Sequence, residues 1–260
     1  MNTVFKLGSL IALVPLGALP LCASKPEPRV PPAAESSLPP VGAVLQKALK
    51  RADYEDQNEG GFKEHYAYSR RKVKEERNGQ GKLKKRDQKV DQYFPERTTS
   101  PAPQPVSAKV KPGSDLPKKA ITKEDFPLDA EMLSRFQCAM VGRQIIRDRP
   151  TLVLDFKPAD RNLPIRNLKD HFLNKAAGRL WIDENDSVVE QADLHLTGGV
   201  NIVGGLAASV HGLRYHLERE RTPDGYWFTK AVNWHVEARE FLVQKILDYA
   251  EERFDVRKVR

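Results

Sequence analysis

The sequence predicts an α+β fold that is mainly antiparallel β, and three observations predict it. Turn signals recur between β-rich runs, those runs alternate apolar and polar residues, and one amphipathic helix precedes them. Along the chain, Lys6 is followed by an uncharged run from Leu7 to Leu21 and then Cys22-Ala23-Ser24. A basic start, a short apolar stretch and small residues at its end read as a secretory signal over 1–24. Pro15 and Pro20 interrupt the run, which is too short for a membrane span. Leu21 stands where lipoproteins place a small residue before the acylated cysteine, so cleavage near Ser24 or Ala23 is favoured over lipidation at Cys22. The expected compartment is the periplasm or another exported location, without ATP or a reducing pool. Cys138 is then the single thiol of the mature chain and reads as a buried filler.

Lys25–Pro40 is a Pro-rich flexible leader. In Val41–Asp53, Val41, Val44, Leu45, Ala48 and Leu49 fall at helical spacing, with Lys47, Lys50 and Arg51 opposite. Phe62–Glu76 and Lys82–Phe94 flank Asn78-Gly79-Gln80-Gly81, a hairpin signal. Thr98–Asp125 carries Pro101, Pro103, Pro105, Pro112 and Pro117 and reads as a Pro/Lys-rich linker or long loop inside a single folded domain, 41–260. Three more hairpins follow. Ser134–Arg147 and Thr151–Phe156 flank Asp148-Arg149-Pro150; Arg179–Asp183 and Val188–Leu196 flank Glu184–Ser187; Val210–Arg221 and Tyr226–Glu237 flank Thr222-Pro223-Asp224-Gly225. A short helix fits near Leu168–Lys175. Phe241–Phe254 suits a helix (Leu242, Ile246, Tyr249, Arg253) and a strand (Phe241, Val243, Leu247, Tyr249) nearly as well, and both stay open.

Alternation places Leu152, Leu154 and Phe156 on one face, as it does Leu180 with Ile182, Leu194 with Leu196, and Leu213 with Tyr215. One covered face and one wet face follow. About nine strands with one helix and one short insertion leave two outcomes: the helix fills the covered side, or an apolar cavity remains. In the second case these nine residues line a site for a hydrophobic ligand.

The whole chain has 43 basic and 35 acidic residues and a net charge of +8; loss of Lys6 with the signal leaves +7. The excess concentrates between Arg70 and Lys89. Arg70, Arg71, Lys72, Lys84 and Lys85 are candidates for contact with an anionic surface, export making nucleic acid the poorer partner. The alternative is a solvated hairpin whose charges block edge pairing.

Tyr66-x-Tyr68-x-Arg70, Tyr93-Phe94-Pro95, Val141-Gly142-Arg143, Leu152–Pro158 and Ala177-Gly178-Arg179-Leu180-Trp181-Ile182-Asp183 resemble exported relatives of the outer-membrane lipoprotein-sorting proteins, the group with the LolA/LolB- and RseB-like fold. The resemblance spans Val41 to Arg260, and Gly-x-Leu-Trp-Ile-Asp is its most specific piece. It implies a curved, unclosed β-barrel (a half-barrel) with helices on the concave face, a strand over 241–254, and binding of lipid or lipoprotein acyl chains. The Pro-rich Thr98–Asp125 stretch departs from the family pattern. No ligand residue transfers position by position.

Enzyme chemistry finds little support. His211 and His216 point to opposite faces of a strand; His65, His171, His195 and His235 lack ligand spacing, and HExxH is absent. Asp183 and Asp186 read as surface turn acids. Ser209 lacks a Gly-x-Ser-x-Gly elbow, and Gly198-Gly199 and Gly204-Gly205 lack a following Lys-Ser/Thr helix. The sequence therefore points to no enzyme, cofactor or metal. It describes a periplasmic binder of a hydrophobic ligand or, alternatively, a non-catalytic sensor or scaffold for another exported protein.

Overall fold

The computed structural model describes residues 37–57, 60–95, 130–159, 163–166, 168–202 and 208–259. The signal segment 1–24, most of the leader Lys25–Pro40, the stretch Thr98–Asp125 and Gly204-Gly205 lie outside them. Leu38–Arg260 forms one compact unit.

Helix α1 (Val41–Gln57) starts where Pro40 O accepts the amides of Ala43 and Val44. It runs past the expected end at Asp53, because Glu55 is paired by Arg51 one turn back and by Arg219 of the sheet at 2.9 Å. Helix α2 (Gly60–His65) replaces the first residues of the expected strand Phe62–Glu76. The cause is aromatic packing. A helical turn puts Phe62 over Tyr66 (5.2 Å) and Phe228 (4.7 Å), burying three rings together.

The strands are β1 (Tyr66–Asn78), β2 (Leu83–Tyr93), β3 (Phe136–Ile146), β4 (Arg149–Pro158), β5 (Ala176–Asp183), β6 (Val189–Leu196), β7 (Val200–Ile202), β8 (Ala208–Arg221), β9 (Trp227–Glu240) and β10 (Val243–Lys258). Helix α3 (Ala130–Ser134) precedes β3, and α4 (Leu168–Leu173) falls where the short insertion helix was expected. They form one sheet in the order β2-β1-β10-β9-β8-β6-β5-β4-β3, with β7 beside β8. Every pairing is antiparallel. The sheet is open: β2 and β3 are its edges, and the first hairpin docks on the last strand. The segment 96–129 thus connects opposite edges. The mainly antiparallel, unclosed sheet with an N-terminal helix is as the sequence led one to expect, and 243–258 is strand.

Turn chemistry explains the registers. Asn78 Oδ1 accepts the amides of Gln80 and Lys82, and Gly81 takes φ +80°. The β3–β4 reversal is tighter than Asp148-Arg149-Pro150. It is a two-residue turn, Arg147-Asp148, with both φ positive (47° and 62°), and Pro150 lies within β4. At the β8–β9 turn, Gly225 takes φ +100° and Thr222 Oγ1 accepts the Tyr226 amide.

That turn also makes an acid-labile clasp. Asp224 accepts the hydroxyls of Tyr66 and Thr222 and pairs with Lys258, joining β8–β9 to β1 and β10. The Tyr66 hydroxyl, then Thr222, hold its carboxyl well below the usual carboxylate range. A folded-state value below the unfolded one of about 3.9 stabilises the fold above that pH and is lost as pH falls through the folded value. We expect the melting temperature of Tyr66→Phe to fall less steeply than that of the parent chain below about pH 4. Identical acid limbs would sink this assignment.

Three apolar clusters cover one face. Val44 and Ala48 of α1, with Val41 and Leu45, pack on Leu152, Leu154, Leu180 and Ile182. Val200, Ile202, Ala208, Val210, Leu213 and Ala238 gather with Phe172 of α4. Phe62, Tyr66, Tyr68 and Phe228 form the third. The other face is not uniformly wet. Thr151 and Val153 of β4 are buried as completely as Leu152 and Leu154, so strict one-sided exposure fails at that strand.

Candidate functional site: two faces of one sheet

Cross-strand register sorts every candidate residue onto a face. One row runs Cys138, Phe156, Gly178, Leu194, Tyr215, Trp234, Tyr249, Lys74, Asp87 across the helix-bearing side. All nine residues expected to line an apolar site lie on this side, divided between clusters. Leu152, Leu154, Leu180 and Ile182 sit under α1, and Leu154 is 0% exposed. Leu194, Leu196, Leu213 and Tyr215 sit with α4 and β7. Phe156 meets Phe136 edge-on at 5.3 Å. Burial pushes the Tyr215 hydroxyl up to about 12, and burial likewise raises the Cys138 thiol.

A cavity of about 1010 Å³ stretches from β6 to β2; most of its lining lies on the opposite, polar face, with Leu194, Tyr215, Trp234 and Tyr249 joining from the helix-bearing side. Its floor is small: Val73, Ala231, Asn233 and Ala250. Its polar walls alternate carboxylates with imidazole and guanidinium groups. His216 Nδ1 lies 2.6 Å from Asp193 Oδ1, His235 Nδ1 lies 2.7 Å from Asp248 Oδ1, and Arg71 reaches Glu252 at 2.5 Å. Asp193 continues the ladder to Arg179, which grips Asp155 with two bonds of 2.6 and 2.9 Å and lowers its carboxyl. Among the described residues, Arg214 and His195 on this wall have no hydrogen-bond or ion-pair partner.

Sequence spacing hid this trough, because it compared histidines only along the chain. The available signal was polar residues at alternate positions of three runs, 193/195, 214/216 and 233/235, with Asp248 and Glu252 flanking Ala250 in a fourth. Among the described residues no three His, Cys, Asp or Glu side chains converge as metal ligands would. Ser209 Oγ lies 3.1 Å from His211 Nε2, but Ser209 is buried, and no carboxylate among the described residues orients that ring.

Asp183 and Asp186 correct the expectation of surface turn acids. Asp183 is 0% exposed, and Arg149 donates to both its oxygens at 2.6 and 2.8 Å. Asp186 accepts from Arg221 and Trp227 of the neighbouring hairpin at 2.7 and 2.9 Å. Burial alone would raise Asp186, but Trp227, Arg149 and Arg221 outweigh it and hold the carboxyl low. These carboxylates tie three hairpins together.

The five basic candidates do not form one surface. Arg70 and Lys72 lie on the helix-bearing side, Arg71 on the other, and neighbours Lys84 and Lys85 point oppositely. Asp91, Glu252, Glu251 and Asp87 pair with Arg70, Arg71, Lys72 and Lys85, respectively.

No protein-family model and no curated protein matches the chain. Among solved structures it is similar to a DUF1329 family protein from Desulfovibrio piger (14% identity, 85% of this chain and 94% of that one, TM-score 0.35). It is also similar to a LolA superfamily protein from Nitrosomonas europaea (13% identity, 83% and 93% covered, TM-score 0.29). A third is the MucA/MucB complex of Pseudomonas aeruginosa (9% identity, 80% and 99% covered, TM-score 0.23). At such scores they bear on neither ligand nor partner.

Proposed function

We propose that this chain is an exported, non-catalytic binding module that takes a polypeptide segment of another envelope protein in the polar trough. The trough itself supports this reading. Six strands at about 4.8 Å spacing give a length of about 24 Å, enough for roughly seven extended residues. A small-residue floor lets a backbone come close, and the hydrogen-bonding groups of the walls match the donors and acceptors of a peptide. An acyl chain laid there would strip water from charged walls without returning a hydrogen bond, which is unfavourable.

A second reading, lipid or lipoprotein acyl chains on the helix-bearing face, draws on the nine apolar residues that share that side. It requires α1 to lift, because Val41, Val44, Leu45 and Ala48 occupy the space above Leu152, Leu154 and Ile182. Native mass spectrometry of the chain purified from its own envelope separates the two. The expected result is a retained polypeptide that is lost in Ala250→Trp, where an indole fills the trough floor. A retained lipid mass, unaffected by Ala250→Trp, overturns the peptide reading in favour of the second.

A further inference from the structure

The β9–β10 connection is a two-residue turn, because Glu240 pairs with Val243 and leaves only Phe241 and Leu242 between them. Such turns favour Gly, Asn or Asp, above all where φ is positive. Here Phe241 takes φ +53°, a conformation that a bulky side chain rarely adopts. The side chains gain no packing in return: Phe241 is 67% exposed, Leu242 94% and Val243 49%. Backbone strain and solvated apolar surface coincide at one tip, as they do where a segment is shaped for contact rather than for stability.

The β1–β2 tip lies beside it. Asn78 pairs with Lys245, and a Cβ on Gly79 would stand 2.6 Å from the Cβ of Gln244, so the two hairpin ends abut. This second tip brings exposed Lys82, Leu83, Lys84 and Lys85 to the same end. Glu240 is occupied by Lys245 at 2.6 Å, and Asp87 by Lys85 at 2.9 Å. Among the described residues Lys82 and Lys84 have no acidic partner.

We propose that these paired tips dock on an anionic lipid bilayer, with Phe241, Leu242 and Val243 entering the interface and Lys82 and Lys84 meeting phosphate headgroups. A protruding apolar knob with a cationic rim fits a soft, negatively charged interface, where rings and aliphatic chains bury without a shaped pocket. None of Phe241, Leu242, Val243, Lys82 and Lys84 lines the trough. The inference goes beyond the peptide-binding reading and does not need it.

The test is cosedimentation of the mature chain with phosphatidylcholine vesicles containing about one-third phosphatidylglycerol, and with phosphatidylcholine alone. The parent chain should bind the anionic vesicles and release in high salt. Leu242→Asp should lower partitioning by more than about tenfold. Phe241→Gly should also weaken it while keeping or raising the melting temperature, which separates lost contact from lost folding. Lys82→Glu with Lys84→Glu should reduce binding to the level seen on phosphatidylcholine. Absence of binding by the parent chain, or binding unchanged in these variants, overturns the proposal. So does a finding that the tips drive self-association instead. None of the tip substitutions touches the trough, so failure here leaves peptide retention by native mass spectrometry intact.

Discussion

Asp183→Ala should cost about 3–5 kcal/mol of folding stability, among the largest losses available to a single side chain in this protein. The carboxylate is wholly buried and carries four hydrogen bonds: two from Arg149, and two from the amides of Asn185 and Asp186 at 3.1 and 2.6 Å. Removing it strips a half-buried guanidinium of its bidentate partner and leaves the β5–β6 turn amides unsatisfied at once. The damage spreads, because Asp186 in that turn holds Arg221 and Trp227 of the β8–β9 hairpin. Asp183→Asn keeps one acceptor for the amides but loses the charge facing Arg149, so its cost should be smaller, about 1–3 kcal/mol. Urea unfolding of the three proteins checks the order. Asp183→Ala within about 1 kcal/mol of the parent chain would show the carboxylate to be the surface turn acid that its sequence context suggests.

Much of the sheet was legible because turn residues and period-two runs are local. Asn78–Gly81, Glu184–Ser187 and Thr222–Gly225 announce their hairpins through Gly, Pro and side-chain acceptors. The rest depended on distant partners. Helix α2 forms in an apparent strand because Phe62 finds Phe228, far along the chain. Strand β7 has three residues, too few to show a period. In Phe241–Phe254 both periods are present, and only pairing with β1 and β9 decides for strand.

The site was less legible, for a physical reason. Alternation tells which residues share a face but not whether a helix already occupies it. Leu152, Leu154 and Ile182 were placed on the correct side, yet α1 fills the space above them. The polar trough needs four strands in register before His216 meets Asp193 and His235 meets Asp248. The β9–β10 tip left its mark as a lack: no Gly, Asn or Asp stands between Val236 and Ile246, where a tight turn must form. A turn built without turn residues signals something other than stability.

Gly178→Ala should be comparably damaging, with about 2–4 kcal/mol lost, although it adds a single methyl group. A Cβ at this position would stand 1.9 Å from the backbone oxygen of Asp193 and 2.9 Å from Cζ of Phe156. The two clashes differ in kind. A ring can rotate or be trimmed, whereas the Asp193 carbonyl is fixed in β6, with its neighbour Leu194 paired to Gly178 itself. Moving it would disturb the β5–β6 register that sets Arg179 opposite Asp193 on the far side of the sheet. The backbone contact should therefore dominate, and Phe156→Leu combined with Gly178→Ala should recover little of the loss. Recovery of most of it in the double variant would assign the glycine to ring packing instead, the role by which an aromatic neighbour covers a bare strand position. Gly178 and Asp183 bracket the stretch on which the sequence resemblance rests most. If both costs are as large as argued, that stretch serves the packing of the open sheet, and its presence speaks for an architecture without identifying a ligand.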